Sequence, residues 1–249
     1  MKKVIPATLF VLLISLACAQ TPQEIFLQAN RQYEAGAYEG AISAYENLIR
    51  QGWESASLYY NLGNAYFKSG KTGLAILNYE RAKILNPRDE DIKFNLEYAR
   101  ASAIQEEEKA KNPIREFFTG IYNLLSVEEL TIVFTLLYFS LILAVCISFF
   151  FKPGILRLLK TALGILVAVS GLWWAAKIHN VSQPYAIVVK PDCSIRSGPG
   201  MEYAAGYLIP EGKKVLILRV KDSWYEVGLK EEGLKGWTEV DKLEKIRNY

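Results

Sequence analysis

The N-terminal fold is decided by the stretch Tyr59-Tyr60-Asn61-Leu62-Gly63-Asn64-Ala65-Tyr66, which belongs to the second of two sequence repeats. Placing residues 22–55 above residues 56–89 aligns identical or similar residues that lie 34 positions apart. The aligned pairs are Ala29 with Gly63, Gly36 with Gly70, Ala41 with Ala75, Ile42 with Ile76, Tyr45 with Tyr79, and Glu46 with Glu80. A constant period of this length predicts pairs of stacked helices.

Small residues explain how these helices would pack. Gly63 and Ala75 allow a close approach, Gly70 supplies the turn, and Pro87 ends the second helix. With Tyr66, Tyr79 and Ala82, the pattern strongly resembles the tetratricopeptide repeat. The resemblance implies an all-α solenoid over residues 20–110, with repeats at 22–55 and 56–89. Residues 90–110 are predicted to form the cap helix that solvates a short solenoid.

The resemblance also implies a concave groove that binds a protein or peptide. Its candidate residues are Phe26, Asn30 and Tyr33 in the first repeat, and Tyr60, Asn64, Phe67 and Lys68 in the second. Some tetratricopeptide domains hold a peptide carboxylate with Asn and Lys at such positions, but Asn is also common there for structural reasons. Both interpretations remain open. Gly70-Lys71-Thr72 does not predict a phosphate-binding loop, because Ala65 stands where that loop needs glycine.

Residues 1–19 have the three parts of a secretory signal peptide. Lys2 and Lys3 precede an apolar run, and Ala17-Cys18-Ala19 fits a cleavage site after Ala19. Lipidation of Cys18 is the alternative. Either way, the chain after residue 20 is predicted to be exported.

Two apolar segments predict a transmembrane hairpin. Residues 130–151 are uncharged and long enough to cross a bilayer, and residues 161–177 form a shorter second span. The turn at 152–160 carries three basic residues and no acidic one, so the positive-inside rule places it in the cytoplasm. Both soluble parts are then periplasmic, at a bacterial inner membrane. Residues 111–129 predict an interfacial helix or linker, with a short buried helix against the repeat cap as the alternative.

Residues 184–246 change to short β-prone runs separated by glycine turns, which predicts five strands in a small all-β barrel. The stretch Cys193-Ser194-Ile195-Arg196-Ser197-Gly198-Pro199-Gly200, followed by Trp224 and Gly236-Trp237, resembles a bacterial SH3-like domain. Trp224, Trp237 and Cys193 are expected in the core, and Arg196 is expected to bind a nearby carbonyl or acidic group. Tyr185, Tyr203 and Tyr207 are the candidates for surface contacts.

Composition limits the function. The formal net charge of +3 resides in the leader and membrane segments, so the chain is not predicted to bind nucleic acid. Cys18, Cys146 and Cys193 lie in separate segments, and His179 is the sole histidine, which disfavours a metal site. No catalytic constellation and no cofactor are predicted. The fold class is therefore a multi-domain α plus β protein.

The order of these segments resembles the Bat E proteins of the Bacteroides aerotolerance operons. The resemblance implies a non-catalytic scaffold in aerotolerance or envelope-stress resistance. It also implies partners such as membrane-anchored von Willebrand A-type proteins and a MoxR-type ATPase. Two alternatives remain: a peptidoglycan-binding sensor or anchor, and an accessory subunit of a cell-wall hydrolase.

Overall fold

A computed structural model describes residues 21–103, 113–122, 124–151, 154–230 and 232–247. The predicted signal peptide, the end of the predicted cap helix and Lys152 lie outside these ranges. The repeat region contains five helices: α1 (Pro22–Glu34), α2 (Tyr38–Arg50), α3 (Ala56–Lys68), α4 (Thr72–Leu85) and α5 (Glu90–Ala103). Two long helices follow a short one: α6 (Pro113–Tyr122), α7 (Val127–Phe150) and α8 (Gly154–Val181).

Local sequence sets the ends and turns of the repeat helices. Thr21 forms a capping box with Glu24 at the start of α1, and the Ser55 side chain accepts a hydrogen bond from the amide of Leu58 at the start of α3. Gly36 and Gly70 have φ of 77° and 78° in the two equivalent turns. Glycine suits both positions because a side chain is strained in this left-handed conformation.

Helices α3 and α4 pack closely because Gly63 has no side chain. A Cβ atom at this position would lie 2.7 Å from the ring of Tyr79. The equivalent residue in the first repeat is Ala29, which is fully buried. The apolar core of the repeat region continues through α5, where Leu96 and Ala99 are buried.

The C-terminal region is an antiparallel sheet of seven strands. These are β1 (Tyr185–Val188), β2 (Cys193–Arg196), β3 (Ala205–Ile209), β4 (Lys214–Lys221), β5 (Trp224–Leu229), β6 (Leu234–Glu239) and β7 (Leu243–Lys245). Their order is β3-β2-β6-β5-β4-β1-β7. The five predicted strands are present, but β3 and β7 were not predicted.

The expected barrel is not supported. Within the described residues, β3 and β7 are the two edges of the sheet and do not pair with each other, so the sheet is open. Its core is nonetheless well formed on one face, where Ala186, Val188, Cys193 and Val227 are fully buried. Irregular registers in β2 and β4 bend the strands without joining the edges.

Helix α4 contacts this sheet, which connects the repeat region to the C-terminal region. The amide of Gly73 donates a hydrogen bond of 2.6 Å to the Glu211 carboxylate. Arg81 donates to the carbonyl oxygens of Lys245 and Ile246, at 2.8 and 3.0 Å. Ile187 and Ile246 of the sheet region join the apolar core of the repeats. The two regions therefore share part of one core.

A buried ion cluster strengthens this contact. Glu80 of α4 is 6% exposed and pairs with Arg100 of α5 and with Lys214 of β4, the latter at 3.1 Å. Burial opposes ionisation of Glu80, but the two cations outweigh this effect and hold the pKa of its carboxyl below the usual value. The Glu80 carboxylate of α4 therefore links this helix to both α5 and the sheet.

Helices α7 and α8 are long and apolar enough to cross a membrane. They form an antiparallel hairpin in which the Phe134 ring stacks on Trp174, with centroids 5.9 Å apart. Helix α8 begins at Gly154, so residues 154–160, which were predicted as part of a turn, are helical. Both helices also extend beyond the predicted spans.

Helix α6 exposes most of its described apolar side chains. Ile114, Phe117 and Phe118 are each more than 60% exposed. The alternative of a helix buried against the repeat cap is therefore not supported. The carbonyl oxygens of Tyr122 and Leu125 accept hydrogen bonds from Lys177 of α8, which holds the end of α6 beside the hairpin.

Candidate protein-binding cleft

The two repeats contain the same hydrogen-bonded unit. In the first, the Asn30 side-chain oxygen accepts hydrogen bonds from the Tyr45 hydroxyl at 2.6 Å and from the Asn61 amide at 3.0 Å. In the second, the Asn64 oxygen accepts from the Tyr79 hydroxyl at 2.6 Å and from the Asn95 amide at 3.1 Å. All three positions recur after 34 residues. Each unit joins three successive helices.

This unit changes the interpretation of the two asparagines. Their oxygens already bind tyrosine and asparagine, so the acceptor side of each amide has a structural role. Asn64 is only partly buried, and its Nδ2 has no hydrogen-bond partner among the described residues. This nitrogen can donate to a carbonyl or carboxylate oxygen of a ligand. The structural and binding interpretations therefore apply to different atoms of one side chain.

A cleft with a volume of about 330 Å³ lies beside Asn64. It brings together five of the seven predicted groove residues with four others. The predicted ones are Tyr33, Tyr60, Asn64, Phe67 and Lys68, and the others are Tyr79, Phe94, Asn95 and Tyr98. Its walls are mainly aromatic, with amide groups at the base and one lysine.

The aromatic wall is ordered by ring contacts. Phe67 and Tyr98 meet edge to face with centroids 5.6 Å apart, and Phe94 stacks on Tyr98 at 6.3 Å. Phe94 is nevertheless 69% exposed and Tyr98 is 59% exposed. Rings held in fixed positions with an exposed face are suited to bind an apolar or aromatic side chain, because little conformational entropy is lost on binding.

Helix α5 contributes residues that the sequence prediction missed. Residues 90–110 were expected only to solvate the end of the solenoid, but Phe94, Asn95 and Tyr98 line the cleft. The signal was present at Asn95, which lies 34 positions after Asn61. It was obscured because the glycine and tyrosine positions of the motif are lost beyond residue 90.

Two predicted residues lie outside this cleft. Phe26 contacts the Tyr45 ring, with centroids 5.8 Å apart, and lines a separate pocket beside Trp53. Asn30 belongs to the hydrogen-bonded unit of the first repeat. The predicted groove residues therefore do not form one site, and the aromatic wall of the cleft belongs to the second repeat and α5.

Buried tyrosines of the repeats stay protonated and act as hydrogen-bond donors. Burial raises the pKa of Tyr45 to about 12, and it raises the pKa of Tyr79 further. Both hydroxyls donate to asparagine oxygens. Tyr79 positions the Asn64 amide of the cleft, Tyr45 positions Asn30 outside it, and neither hydroxyl titrates near neutral pH.

Lys71 of the Gly70-Lys71-Thr72 stretch links the two repeats. Lys71 Nζ forms an ion pair of 2.8 Å with Glu39 across the two repeats. The described residues also include no group of three or more His, Cys, Asp or Glu side chains that could hold a metal ion.

The predicted surface residues of the sheet have different environments. Tyr203 and Tyr207 are 42% and 43% exposed. Tyr185 is half-buried against the repeat core, and the Nζ atoms of Lys214 and Lys230 lie 4.7 and 5.8 Å from its ring centroid. It therefore lies at the junction between the two regions and contributes little to the free surface.

Two of the four residues expected to be structural, Arg196 and Cys193, behave as predicted, whereas Trp224 and Trp237 do not lie in the core as expected. Arg196 donates hydrogen bonds to the carbonyl oxygens of Met201 and Tyr203, at 3.1 and 2.8 Å. Cys193 is fully buried, and burial raises the pKa of its thiol. Trp224 and Trp237 are only half-buried, so they lie at the border of the core.

Comparison with known families confirms the repeats. Residues 29–70 match a family described as TPR repeat, and residues 56–89 match the tetratricopeptide repeat family. No curated protein matches the chain. Tetratricopeptide repeats are typically non-catalytic modules that bind proteins, so the matches indicate protein partners in general.

Proposed function

We propose that the chain is a non-catalytic scaffold of a bacterial inner membrane that binds a protein or peptide in the aromatic cleft. The observation that carries this proposal is the wall formed by Phe67, Phe94 and Tyr98, which is ordered by ring contacts and open to solvent. Beside it lies the available amide nitrogen of Asn64. Together they suit an extended peptide that inserts a large side chain and presents a carbonyl or carboxylate oxygen.

The proposed arrangement places the repeats and the sheet in the periplasm. The hydrogen bond between Gly73 and Glu211 supports a common location. It joins a region that precedes the apolar hairpin in the sequence to one that follows it, so in this arrangement both regions lie on the same side of the membrane. Two membrane crossings would return the chain to the side where it began. The basic residues at 152–160 favour a cytoplasmic position for the connection.

Reporter fusions test this arrangement. Fusions after residue 110 and after residue 183 should both behave as exported. A cytoplasmic signal at either position would contradict the proposed topology without affecting the proposed cleft.

The physiological proposal follows the resemblance to Bat E proteins. We infer a role in aerotolerance or envelope-stress resistance, with von Willebrand A-type membrane proteins and a MoxR-type ATPase system as partners. We interpret the C-terminal sheet as an SH3-like module because of the sequence from Cys193 to Gly200. In the described part of the chain the sheet is not closed into a barrel, since its two edge strands do not pair. In this proposal the sheet is held against the repeats and leaves the cleft accessible.

Point variants test the cleft better than deletion of the repeats, because deletion would expose Ile187 and Ile246 of the sheet region, which are buried in the repeat core. The double variant F94A and Y98A removes two exposed rings and should leave the core intact. A matched control is L27A with W53A, since these side chains are 49% and 53% exposed outside the cleft.

The measurement is crosslinking in membranes followed by affinity purification of the full chain. The cleft variant should reduce recovery of the von Willebrand A-type partner by roughly tenfold or more, as expected for loss of aromatic anchors. The control should keep wild-type recovery. Equal recovery with both variants would overturn the cleft as the binding site.

A peptidoglycan anchor is the second candidate. Strand β3 lies at the sheet edge away from β1 and β7, and it exposes Tyr207 and Leu208 at 43% and 58%. These side chains could contact sugar rings or wall peptides. The full chain should then sediment with purified cell wall, and Y207A should reduce sedimentation while V220A should not. If the chain were instead an accessory subunit of a cell-wall hydrolase, the crosslinking experiment should recover that hydrolase.

A further inference from the structure

A second cavity lies where the repeats, the sheet and the end of α8 meet. Its volume is 300 Å³. Residues from all three parts line it: Arg100 from α5, Asn180 from α8, and Tyr185, Gly212, Lys213, Lys214, Leu216, Gly228, Lys230 and Glu232 from the sheet region. We name it the junction pocket.

The described lining of the junction pocket carries more cations than carboxylates. The described lining contains one carboxylate, that of Glu232, and four cations: Arg100, Lys213, Lys214 and Lys230. Adding Glu80, which lies behind the wall and pairs with Arg100 and Lys214, still leaves two more cations than carboxylates. The described groups therefore attract an anion.

Existing contacts hold these cations in place. Lys213 pairs with Glu232 at 2.8 Å and is 13% exposed, so its ammonium is fixed in the wall. Lys230 is exposed and donates one hydrogen bond, at 3.3 Å, to the Tyr185 hydroxyl. An ammonium has three donors, so Lys230 can bind further oxygen atoms. The pocket thus combines fixed positive charge with an accessible donor.

The pocket also lies at the end of an apolar helix. Asn180 is the penultimate residue of α8, and only residues 182–184 separate that helix from β1. If α8 crosses a membrane as proposed above, its end places the junction pocket at the level of the lipid headgroups. This step rests on the proposed membrane arrangement, whereas the charge of the pocket does not.

We infer that the junction pocket binds a phosphate group, carried by an anionic lipid headgroup or by a small soluble phosphate. A phosphate offers several oxygens to the converging lysine and arginine donors, and such charge-assisted hydrogen bonds are strong. The volume is at the lower end for ligand pockets, which suits a headgroup and excludes a folded partner.

Lipid titration of the full chain tests this inference. In detergent, native mass spectrometry should show tighter binding of phosphatidylglycerol than of phosphatidylcholine. The variant K230E reverses the charge of the accessible donor and leaves the Lys213–Glu232 pair and the Glu80 cluster intact. It should weaken phosphatidylglycerol binding by roughly tenfold or more. K221E is the matched control, because Lys221 is exposed at the opposite end of β4.

Inorganic phosphate and glycerol phosphate form the second arm and separate the two sources. Tighter binding of the lipid, with little binding of the soluble phosphates, assigns the headgroup. Binding of soluble phosphate that is lost in K230E assigns a soluble ligand. Phosphate binding with failed reporter topology would retain the pocket and reject the membrane arrangement. If neither phosphate source distinguishes the pocket variant from K221E, the inference is overturned.

Discussion

The two repeats have the same interior and different outer surfaces. Both contain the Asn–Tyr–Asn unit, with equivalent hydrogen bonds at 2.6 Å from tyrosine to asparagine. On the outer helix of the first repeat, Glu39 and Ser43 are exposed. The equivalent residues in the second are Gly73 and Leu77, which are buried where the sheet packs. Two outer substitutions thus distinguish a solvent-facing repeat from one that docks another region.

The substitution G73E transfers the outer residue of the first repeat to the second and tests this difference most strongly. A Cβ atom at Gly73 would lie 2.6 Å from the Val188 carbonyl oxygen, and a new carboxylate would also meet Glu211. We expect the sheet to separate from α4, because the stabilising free energy of their contact falls by about 3 kcal/mol or more. Faster hydrogen exchange at the α4 amides would report this separation.

The control for this substitution is G40A in the first repeat. A Cβ at Gly40 would approach only the flexible Gln32 side chain, at 3.3 Å. Exchange in α2 should change little. Unchanged protection of α4 in G73E would show that its outer face does not depend on the sheet.

Exchange of Glu80 for glutamine should have the next largest effect. Glu80 is buried between Arg100 and Lys214, whereas Glu46 at the equivalent position is 39% exposed. We expect E80Q to lower the free energy of unfolding by about 2 kcal/mol, because two partly buried cations lose their counterion. E46Q should cost less than about 1 kcal/mol. Similar losses for the two variants in chemical denaturation would contradict the comparison.

The same cluster predicts a dependence on pH. The pKa of Glu80 is lower in the folded chain than its ordinary value of 4.5, so its ionisation stabilises the fold above that pH. This contribution is fully present at neutral pH and is lost as the pH falls through the lowered pKa. The stability of E80Q should therefore fall less between neutral pH and acid than that of the wild type. Parallel pH profiles would exclude Glu80 as the titrating group.

Removal of one tyrosine hydroxyl should have the smallest effect and should be equal in the two repeats. Y45F and Y79F each delete one hydrogen bond to asparagine, so we expect about 1 kcal/mol of destabilisation in each. Thermal unfolding of the two variants provides the measurement. A much larger loss in Y79F would mean that the shared interior is not equivalent.

Periodic packing made the repeat region predictable. Helix pairs, their glycine turns and most of the cleft follow from residues that recur after 34 positions, because each repeat position has the same neighbours. The two apolar helices were equally predictable from the sequence, since a long uncharged run has few other structures available.

Contacts between distant segments could not be predicted in this way. The change from Glu39 to Gly73 and from Ser43 to Leu77 indicates a covered outer face, but it does not identify what covers it. Strand β3 was missed because four of its five residues are exposed, which removes the alternation of apolar and polar residues. The open sheet could not be predicted either, because it depends on which distant strands pair with each other and not on the local sequence of any strand.

The hydrogen bond from Gly73 to Glu211 has a consequence for biosynthesis, because 138 residues separate its partners. During translation, α4 is complete long before β1 and β4 exist, and the two long apolar helices are synthesised in between. The apolar outer face of α4 therefore stays uncovered in the nascent chain. We expect the final docking to be a late and slow folding step, during which the repeats need protection from aggregation.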